Sequence, residues 1–349
     1  MRLREFIGIK MSYPSLIELG FRPFFQQQLS LDELNNRTIG RVIEQHRSHI
    51  VIMNEQGVLN LTQTPNSERV CVCVGDWVLF DESLRLVRPF ERQSLFQRKA
   101  AGTKVDSQLI AANIDSVFIV SSLNDDFNLN RIERYLAIAK EAEVEPIVVL
   151  TKVDQCADAD EKRQQVQALD PLLLVHALNA LDSEHVKELS GYCKLGKTLA
   201  LLGSSGVGKS TLVNGLLGQQ AMETGTIRED DSKGRHTTTY RAIKWLPLGG
   251  LLMDTPGMRE LQLTDCKDGL KETFSEIEAL ALLCRFNDCS HDQEPNCAVQ
   301  AAIECGSLDP RRLNNYQKLM RELAFNSSTL AEKRAKDKAF GKMVNTTHK

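Results

Sequence analysis

Residues 203–211 have the types and spacing needed to bind phosphate. Their sequence, GSSGVGKST, fits the pattern GxxxxGK[ST]. In this pattern the glycines let backbone N–H groups surround phosphates at the start of a helix, the lysine reaches the β- and γ-phosphate oxygens, and the next hydroxyl binds Mg²⁺. Apolar residues before and after the segment predict the required strand at 198–202 and helix at 212–217. The predicted nucleotide-binding residues are Gly203, Ser204, Ser205, Gly206, Val207, Gly208, Lys209, Ser210 and Thr211, with Lys209 also catalytic and Ser210 on Mg²⁺.

A second phosphate-facing segment is Asp254-Thr-Pro-Gly257, which follows the apolar residues 251–253. At the end of a strand beside the phosphate loop, Asp254 can approach Mg²⁺, and Gly257 can bring its N–H to the γ-phosphate. A DxxG tetrapeptide alone is a common turn. Together with the phosphate loop, it predicts a segment that responds to the γ-phosphate.

The segment TKVD, which follows the apolar residues 146–150, predicts which nucleotide base the protein selects. A carboxylate at Asp154 can accept hydrogen bonds from both N1–H and the 2-amino group of guanine, a donor pair that adenine lacks. The segment therefore favours GTP over ATP, although Thr151 stands where an asparagine is usual. His176-Ala177 could offer a backbone N–H to guanine O6, or could equally be an ordinary strand end. The base-binding set is Thr151, Lys152, Val153 and Asp154.

Three cysteines and a histidine near the C-terminus have metal-ligand spacing. Because the chain starts without an export signal, its nine cysteines are expected to be thiols or metal ligands rather than disulfides. The cluster provides a complete tetrahedral set for one structural zinc ion and leaves no position open for catalysis. Its ligands are Cys284, Cys289, His291 and Cys297, for which Cys305 could only substitute.

Composition indicates what kind of protein positions these segments. The chain has 349 residues, 42% hydrophobic and 26% charged, which predicts two or three folded domains and excludes general disorder. No apolar run approaches the roughly 18 to 20 residues of a membrane span, so we expect a cytoplasmic protein that does not bind membranes. The net charge is −3, yet residues 311–349 carry ten Lys or Arg against three Asp or Glu. Such runs, here including Arg311, Arg312, Lys318 and Arg321, are most often solvated surface but can contact RNA phosphates.

The elements that must hold the segments fall into three groups. Short β-rich runs between residues 38 and 90, one of them at Val70–Val74, predict a small barrel, either of the oligonucleotide-binding (OB) type or a spacer. From residue 116, alternating apolar strands and amphipathic helices predict a parallel sheet covered by helices. Gly249-Gly250 predicts a hairpin at the sheet edge, and the chain reads as helical from about residue 265.

The order of the segments is unusual. The base-reading segment at 151–177 precedes the phosphate loop at 203, whereas an ordinary GTPase has the phosphate loop first, so the domain is predicted to be circularly permuted. The features that carry a resemblance are this order, the cysteine cluster and the segments GSSGVGKST, GRHTTT and DTPG. In these features the chain resembles the ribosome small subunit-dependent GTPase A family over roughly residues 38–325. The expected fold is multidomain α/β, with an extension at 1–36, an OB-fold barrel at 37–100, the permuted GTPase domain at 101–265, and a helical zinc-binding domain with a basic tail at 266–349.

The segment GRHTTT at 234–239 resembles a first switch. The resemblance implies that Thr238 or Thr239 closes on Mg²⁺ and the γ-phosphate, and we assign Thr238 to this catalytic role. Met258 stands where many GTPases have a glutamine that orients water, and a thioether cannot do so. His236 could orient the water instead, or could be a surface histidine in a flexible loop. The predicted Mg²⁺ ligands are Ser210, Thr238 and Asp254.

The resemblance implies a monomeric GTPase that binds the small (30S) ribosomal subunit and its rRNA. Such an enzyme would assist late maturation of the subunit and hydrolyse GTP to GDP and phosphate at a rate that the subunit raises. Two alternatives remain. A permuted GTPase acting on the large subunit is disfavoured by the GRHTTT segment and the zinc cluster, and an RNA-binding scaffold would use the nucleotide only structurally.

Overall fold

The computed structural model describes residues 13–46, 49–62, 71–99, 107–218, 242–254, 258, 261 and 266–327. The helices are α1 Pro23–Gln26, α2 Leu31–Asn36, α3 Leu129–Glu141, α4 Ala159–Gln167, α5 Ser183–Lys187, α6 Lys209–Leu217, α7 Lys267–Thr273, α8 Ser275–Ala281, α9 Ala298–Glu304 and α10 Pro310–Ser327. The strands are β1 Thr38–Gln45, β2 His49–Asn54, β3 Gly57–Thr62, β4 Trp77–Phe80, β5 Leu86–Pro89, β6 Leu95–Lys99, β7 Ser107–Ala112, β8 Ser116–Ser122, β9 Glu145–Thr151, β10 Leu174–Ala177, β11 Thr198–Leu202, β12 Ala242–Trp245 and β13 Leu251–Asp254. In these described ranges, no helix is both long and apolar enough to cross a membrane.

The predicted parallel sheet is present and has the strand order β10-β9-β8-β11-β13-β12. All of its neighbours are parallel except the β12–β13 hairpin at one edge. Every residue of β8 is buried, as expected for a central strand covered on both faces. Because the strands are parallel, the carboxyl ends of β9, β11 and β13 lie along one edge of the sheet.

Strands β1 to β5 are antiparallel and form the N-terminal β structure. β1 pairs with β2 and β4, and the pairs β2–β3 and β4–β5 complete it around a core that includes Val42, Ile52 and Val78. The prediction of a strand at 70–74 is wrong for the described residues 71–73, which are irregular, while Val74 forms only an isolated bridge. The Asp76 carboxylate explains this, since it accepts a hydrogen bond from the Cys73 N–H at 2.8 Å and turns the chain before β4.

The described part of the N-terminal extension packs against these strands. Leu19 and Phe25 are buried beside Trp77 and Phe90. The side chain of Arg41, which is 1% exposed, donates hydrogen bonds to the carbonyls of Leu19 at 2.6 Å, Gly75 at 3.3 Å and Asn113 at 2.9 Å. One buried guanidinium thus joins the extension, the turn before β4 and the loop before β8.

Two further pairings connect the β structure to the parallel sheet. β1 pairs with β12 through Glu44 and Ala242, so both sheets belong to one path of hydrogen-bonded strands. β6 and β7 form a separate two-stranded antiparallel sheet. Downstream, helices α7 and α10 pack on α3, and α8 and α9 join them in one buried cluster that includes Ala137, Leu270, Phe274 and Leu313. The C-terminal helices therefore share a core with α3 and with strands β8 and β11 of the parallel sheet.

Candidate nucleotide and metal sites

The phosphate loop lies between β11 and α6, as its sequence predicted. Gly203 has a φ of +145°, and a Cβ there would lie 2.3 Å from the carbonyl oxygen of Val120, so only glycine fits. The Lys209 ammonium donates hydrogen bonds to the carbonyls of Gly203, at 2.7 Å, and Ser204, which close the loop on itself. Ser205 and Gly206 are exposed at the tip of the loop. The backbone is thus arranged around the start of α6, where N–H groups and the helix dipole favour an anion.

The predicted base loop comes to the same edge of the sheet. β9 ends at Thr151, Lys152 adopts a left-handed φ of 61°, and Asp154 follows with an exposed side chain in a short 3₁₀ turn. The buried Thr151 hydroxyl donates a hydrogen bond to the carbonyl of Val207 at 2.6 Å. Thr151 therefore joins the base loop to the phosphate loop, although the two segments are 56 positions apart in the chain.

The second predicted base contact lies next to the first. Ala177 ends β10 and pairs with Leu150, one residue before the base loop. The His176 ring lies 3.0 Å from the Tyr192 hydroxyl. Burial lowers the pKa of His176, and the nearby negative charge of Glu188 only partly opposes that shift. This shift favours a neutral imidazole beside Tyr192, while the backbone contact to guanine stays a prediction.

The remaining predicted groups are only partly described. Ser210 and Thr211 lie in the first turn of α6. Asp254 ends β13, which pairs with the strand leading into the phosphate loop. His236, Thr238 and Gly257 lie outside the described residues. Met258 is 3% exposed within the hydrophobic core, and its inability to orient water stays a prediction.

A buried carboxylate that sequence reasoning missed holds α10 against α3. Glu133 is fully buried and accepts hydrogen bonds from Arg311 at 2.9 and 3.0 Å, from Arg312 at 3.1 Å and from Asn315. Burial opposes the charge on Arg311, but the hydrogen bonds and negative charge of Glu133 raise the pKa of Arg311 above its usual value. Two arginines of the basic run are thus paired within the protein, whereas Lys318 and Arg321 on the same helix are exposed.

Sequence reasoning also missed Arg131, whose guanidinium contacts the phosphate loop at Ser204. Two signals could have found it. Asn128 is a good helix N-cap, which would put Arg131 in the first turn of α3, and the carboxyl end of β8 must lie beside that of β11.

The predicted zinc ligands come together as one group. The ligand atoms of Cys284, Cys289, His291 and Cys297 all lie within 4.8 Å of one another. Cys284 Sγ is 3.8 Å from Cys297 Sγ and 3.6 Å from His291 Nδ1, and Cys297 Sγ is 3.5 Å from that nitrogen. A tetrahedral zinc ion requires S–S edges of about 3.8 Å and S–N edges of about 3.6 Å, given its usual bond lengths. The donor set therefore fits zinc, and Cys305 lies outside it.

Comparison with known proteins places these features in one family. The sequence model described as RsgA GTPase matches residues 89–264. The chain is 59% identical, over 94% of its length and 91% of the relative, to "Small ribosomal subunit biogenesis GTPase RsgA 2" of Vibrio parahaemolyticus. It is 44% identical, over 92% and 93%, to "Small ribosomal subunit biogenesis GTPase RsgA" of Mesorhizobium japonicum.

Solved structures agree with the fold. YjeQ from Thermotoga maritima superposes with a TM-score of 0.63 and 25% identity over 82% of this chain and 99% of YjeQ. YloQ, described as a circularly permuted GTPase, superposes with a TM-score of 0.60 and 21% identity over 84% of this chain and 96% of YloQ. The circularly permuted GTPase fold expected from the order of the segments is thus shared with known structures.

Proposed function

Because this chain belongs to the RsgA GTPase family, we propose that it hydrolyses GTP to GDP and phosphate while bound to the small ribosomal subunit. The relatives are named small ribosomal subunit biogenesis GTPases, which supports binding to the small subunit and argues against the large-subunit alternative. The late maturation step, contact with rRNA, a monomeric state and a cytoplasmic location are parts of the same proposal.

The observation that carries the nucleotide assignment is the hydrogen bond from Thr151 to Val207. It joins a guanine-selecting loop to a phosphate-binding loop, so that one nucleotide can occupy both. Asp154 would accept from the guanine edge, and the N–H groups at the start of α6 would donate to the phosphates. A scaffold that used the nucleotide only structurally would need the same pairing, so hydrolysis rather than nucleotide binding separates the two functions.

Magnesium and the γ-phosphate would be held at the carboxyl edge of the sheet. Ser210, Asp254 and Thr238 would hold Mg²⁺, which neutralises charge on the β- and γ-phosphate oxygens when it is bound. Lys209 would exchange its bonds to the loop carbonyls for bonds to those oxygens. His236 would orient the attacking water, and Gly257 would donate its N–H to the γ-phosphate.

The cysteine cluster would hold one structural zinc ion, since its four donors fill a tetrahedron without leaving a position for substrate. Contact with rRNA would use exposed cations such as Lys318 and Arg321. Arg311 and Arg312 are excluded from that surface because they pair with Glu133.

The guanine assignment makes a direct prediction for Asp154→Asn. Loss of the carboxylate should weaken GTP binding by roughly 1 to 3 kcal/mol, because one charged hydrogen-bonding pair is removed. Xanthosine triphosphate should gain affinity, since its 2-oxo group can accept from the new amide. Titration with guanosine, xanthosine and adenosine triphosphates measures both effects.

Asp160→Asn is a matched control, because Asp160 lies six positions further on with an almost fully exposed side chain. It should bind all three nucleotides as the parent does. Unchanged base selectivity in Asp154→Asn would show that the base site has been assigned to the wrong residues.

Activation by the subunit makes a second prediction. Since Met258 is buried and cannot orient water, the protein alone should hydrolyse GTP slowly, and purified small subunits should raise the rate about 5- to 1000-fold, or about 1 to 4 kcal/mol of barrier. His236→Ala should lose most of this stimulation and keep its GTP affinity. Single-turnover hydrolysis and equilibrium binding, each with and without subunits, test the proposal. An unstimulated parent, or a fully stimulated variant, would contradict it.

A further inference from the structure

Arg131 lies in the first turn of α3 and makes hydrogen bonds to two neighbouring loops. Its backbone N–H donates a hydrogen bond to the side chain of Asn128, the N-cap of that helix, at 3.2 Å. Its Nη1 donates to both carboxylate oxygens of Asp126, at 2.7 Å each, and to the hydroxyl of Ser204 at 2.9 Å. The guanidinium therefore bridges the loop after β8 and the phosphate loop.

Ser204 is thereby held by two cations. Its carbonyl accepts a hydrogen bond from Lys209, and its hydroxyl accepts one from Arg131. The adjacent Gly203 is confined by its close approach to Val120, so the entrance of the phosphate loop is fixed on three sides. A small shift of Ser204 would move the N–H groups that follow it, and catalysis of phosphoryl transfer depends mainly on such positioning.

The helix that carries Arg131 is itself firmly placed. Two positions further on, Glu133 is clamped by Arg311 and Arg312, and Arg134 forms an ion pair with Glu322 of α10. A guanidinium in the first turn of a helix fixed in this way can hold Ser204 with little freedom. The hydrogen bond to Ser204 gives Arg131 a route to the nucleotide that needs no direct contact.

We propose that Arg131 is a positioning residue for GTP hydrolysis, which fixes Ser204 and through it the phosphate loop. The inference rests on the proposed GTPase function. It assigns a role to a side chain outside the phosphate-loop sequence, on the helix α3 that connects β8 to β9. It also gives Ser204 a specific task, as the acceptor that transmits the position of α3 to the loop.

The test measures kcat and KM for GTP in the full-length chain carrying Arg131→Ala, Arg131→Lys, Ser204→Ala or both alanine substitutions. Arg131→Ala should lower kcat about 10-fold and change KM less than threefold, since the loop still closes on GTP but in a poorer geometry. Arg131→Lys should recover at least half of that loss, because an ammonium can donate to both partners. The double variant should be no slower than Arg131→Ala alone.

Arg163→Ala is the control, because Arg163 lies on α4 and its one ion pair with the described residues is a 3.9 Å contact with Asp160. It should hydrolyse GTP as the parent does. The inference is overturned if Arg131→Ala keeps its kcat within twofold of the parent, or if the effects of the two alanine substitutions multiply. If Arg131→Ala is too unstable to assay, Ser204→Ala decides alone, and a kcat within twofold of the parent overturns the inference. Failure of the proposed function is distinguishable, since the parent itself would then not hydrolyse GTP.

Discussion

Cys289→Ser is expected to unfold the segment between α8 and α10 while the parallel sheet stays folded. Residues 282–297 form no helix or strand, and Leu282 and Leu283 are 87% and 72% exposed, so the loop buries little that could hold it. Structural zinc contributes roughly 10 to 16 kcal/mol of apparent binding free energy in small modules. α9 should unfold with the loop, because Cys297 caps its first turn.

Metal analysis and limited proteolysis with mass spectrometry test this expectation. The parent should contain one zinc ion per chain and resist cleavage between residues 282 and 304. Cys289→Ser should be cleaved there and still bind GTP. Cys305→Ser is the matched control, since Cys305 is exposed and lies outside the ligand group. A parent without stoichiometric metal, or a Cys289 variant as resistant as the parent, would refute the zinc assignment.

Glu133→Ala should detach α10 from α3. The substitution leaves the charges of Arg311 and Arg312 without their common buried partner. Removing one member of a buried ion pair typically costs about 3 to 5 kcal/mol, because the remaining charge is no longer compensated. Glu133→Gln should cost less, since its amide oxygen still accepts hydrogen bonds.

Hydrogen exchange of the α10 amides and the urea midpoint of unfolding measure the loss. Glu184→Ala is a suitable control, because Glu184 is mostly exposed and its carboxylate pairs with Lys187 on the surface. Its stability should stay within about 0.5 kcal/mol of the parent. A Glu133→Ala protein whose α10 amides exchange as slowly as those of the parent would show that this carboxylate does not hold the helix.

The sequence predicted the parts of the site that depend on short segments. The phosphate loop needs glycines, a lysine and a hydroxyl at fixed spacing, and the metal group needs four ligands close together in the chain. The structure places GSSGVGKST between a strand and a helix and brings the four ligands together, while binding of nucleotide and zinc stays a prediction. The permuted order follows from where TKVD and GSSGVGKST stand. The domain boundaries and the catalytic roles of His236 and Thr238 stay predictions.

The parts that sequence reasoning missed depend on contacts between distant residues. Charge counting cannot show that Arg311 faces a carboxylate 178 positions away rather than solvent. Cys71 and Cys73 alternate as in a strand, but the Cys73 N–H donates its hydrogen bond to the Asp76 side chain instead of to a neighbouring strand. The pairing of β6 with β7 was hidden by polar residues, because such a strand pair is recognised mainly by alternating apolar side chains.

The three hydrogen bonds of Arg41 also constrain how the chain can fold during its synthesis. Their acceptors lie at Leu19, Gly75 and Asn113, so the last of them is translated 72 residues after Arg41 itself. At bacterial elongation speeds of about 5 to 20 residues per second, this delay is roughly 4 to 14 s. Throughout that interval the guanidinium lacks an acceptor that it needs when it is buried. The N-terminal strands should therefore remain loosely packed on the translating ribosome, and should close only after the loop before β8 has left the exit tunnel.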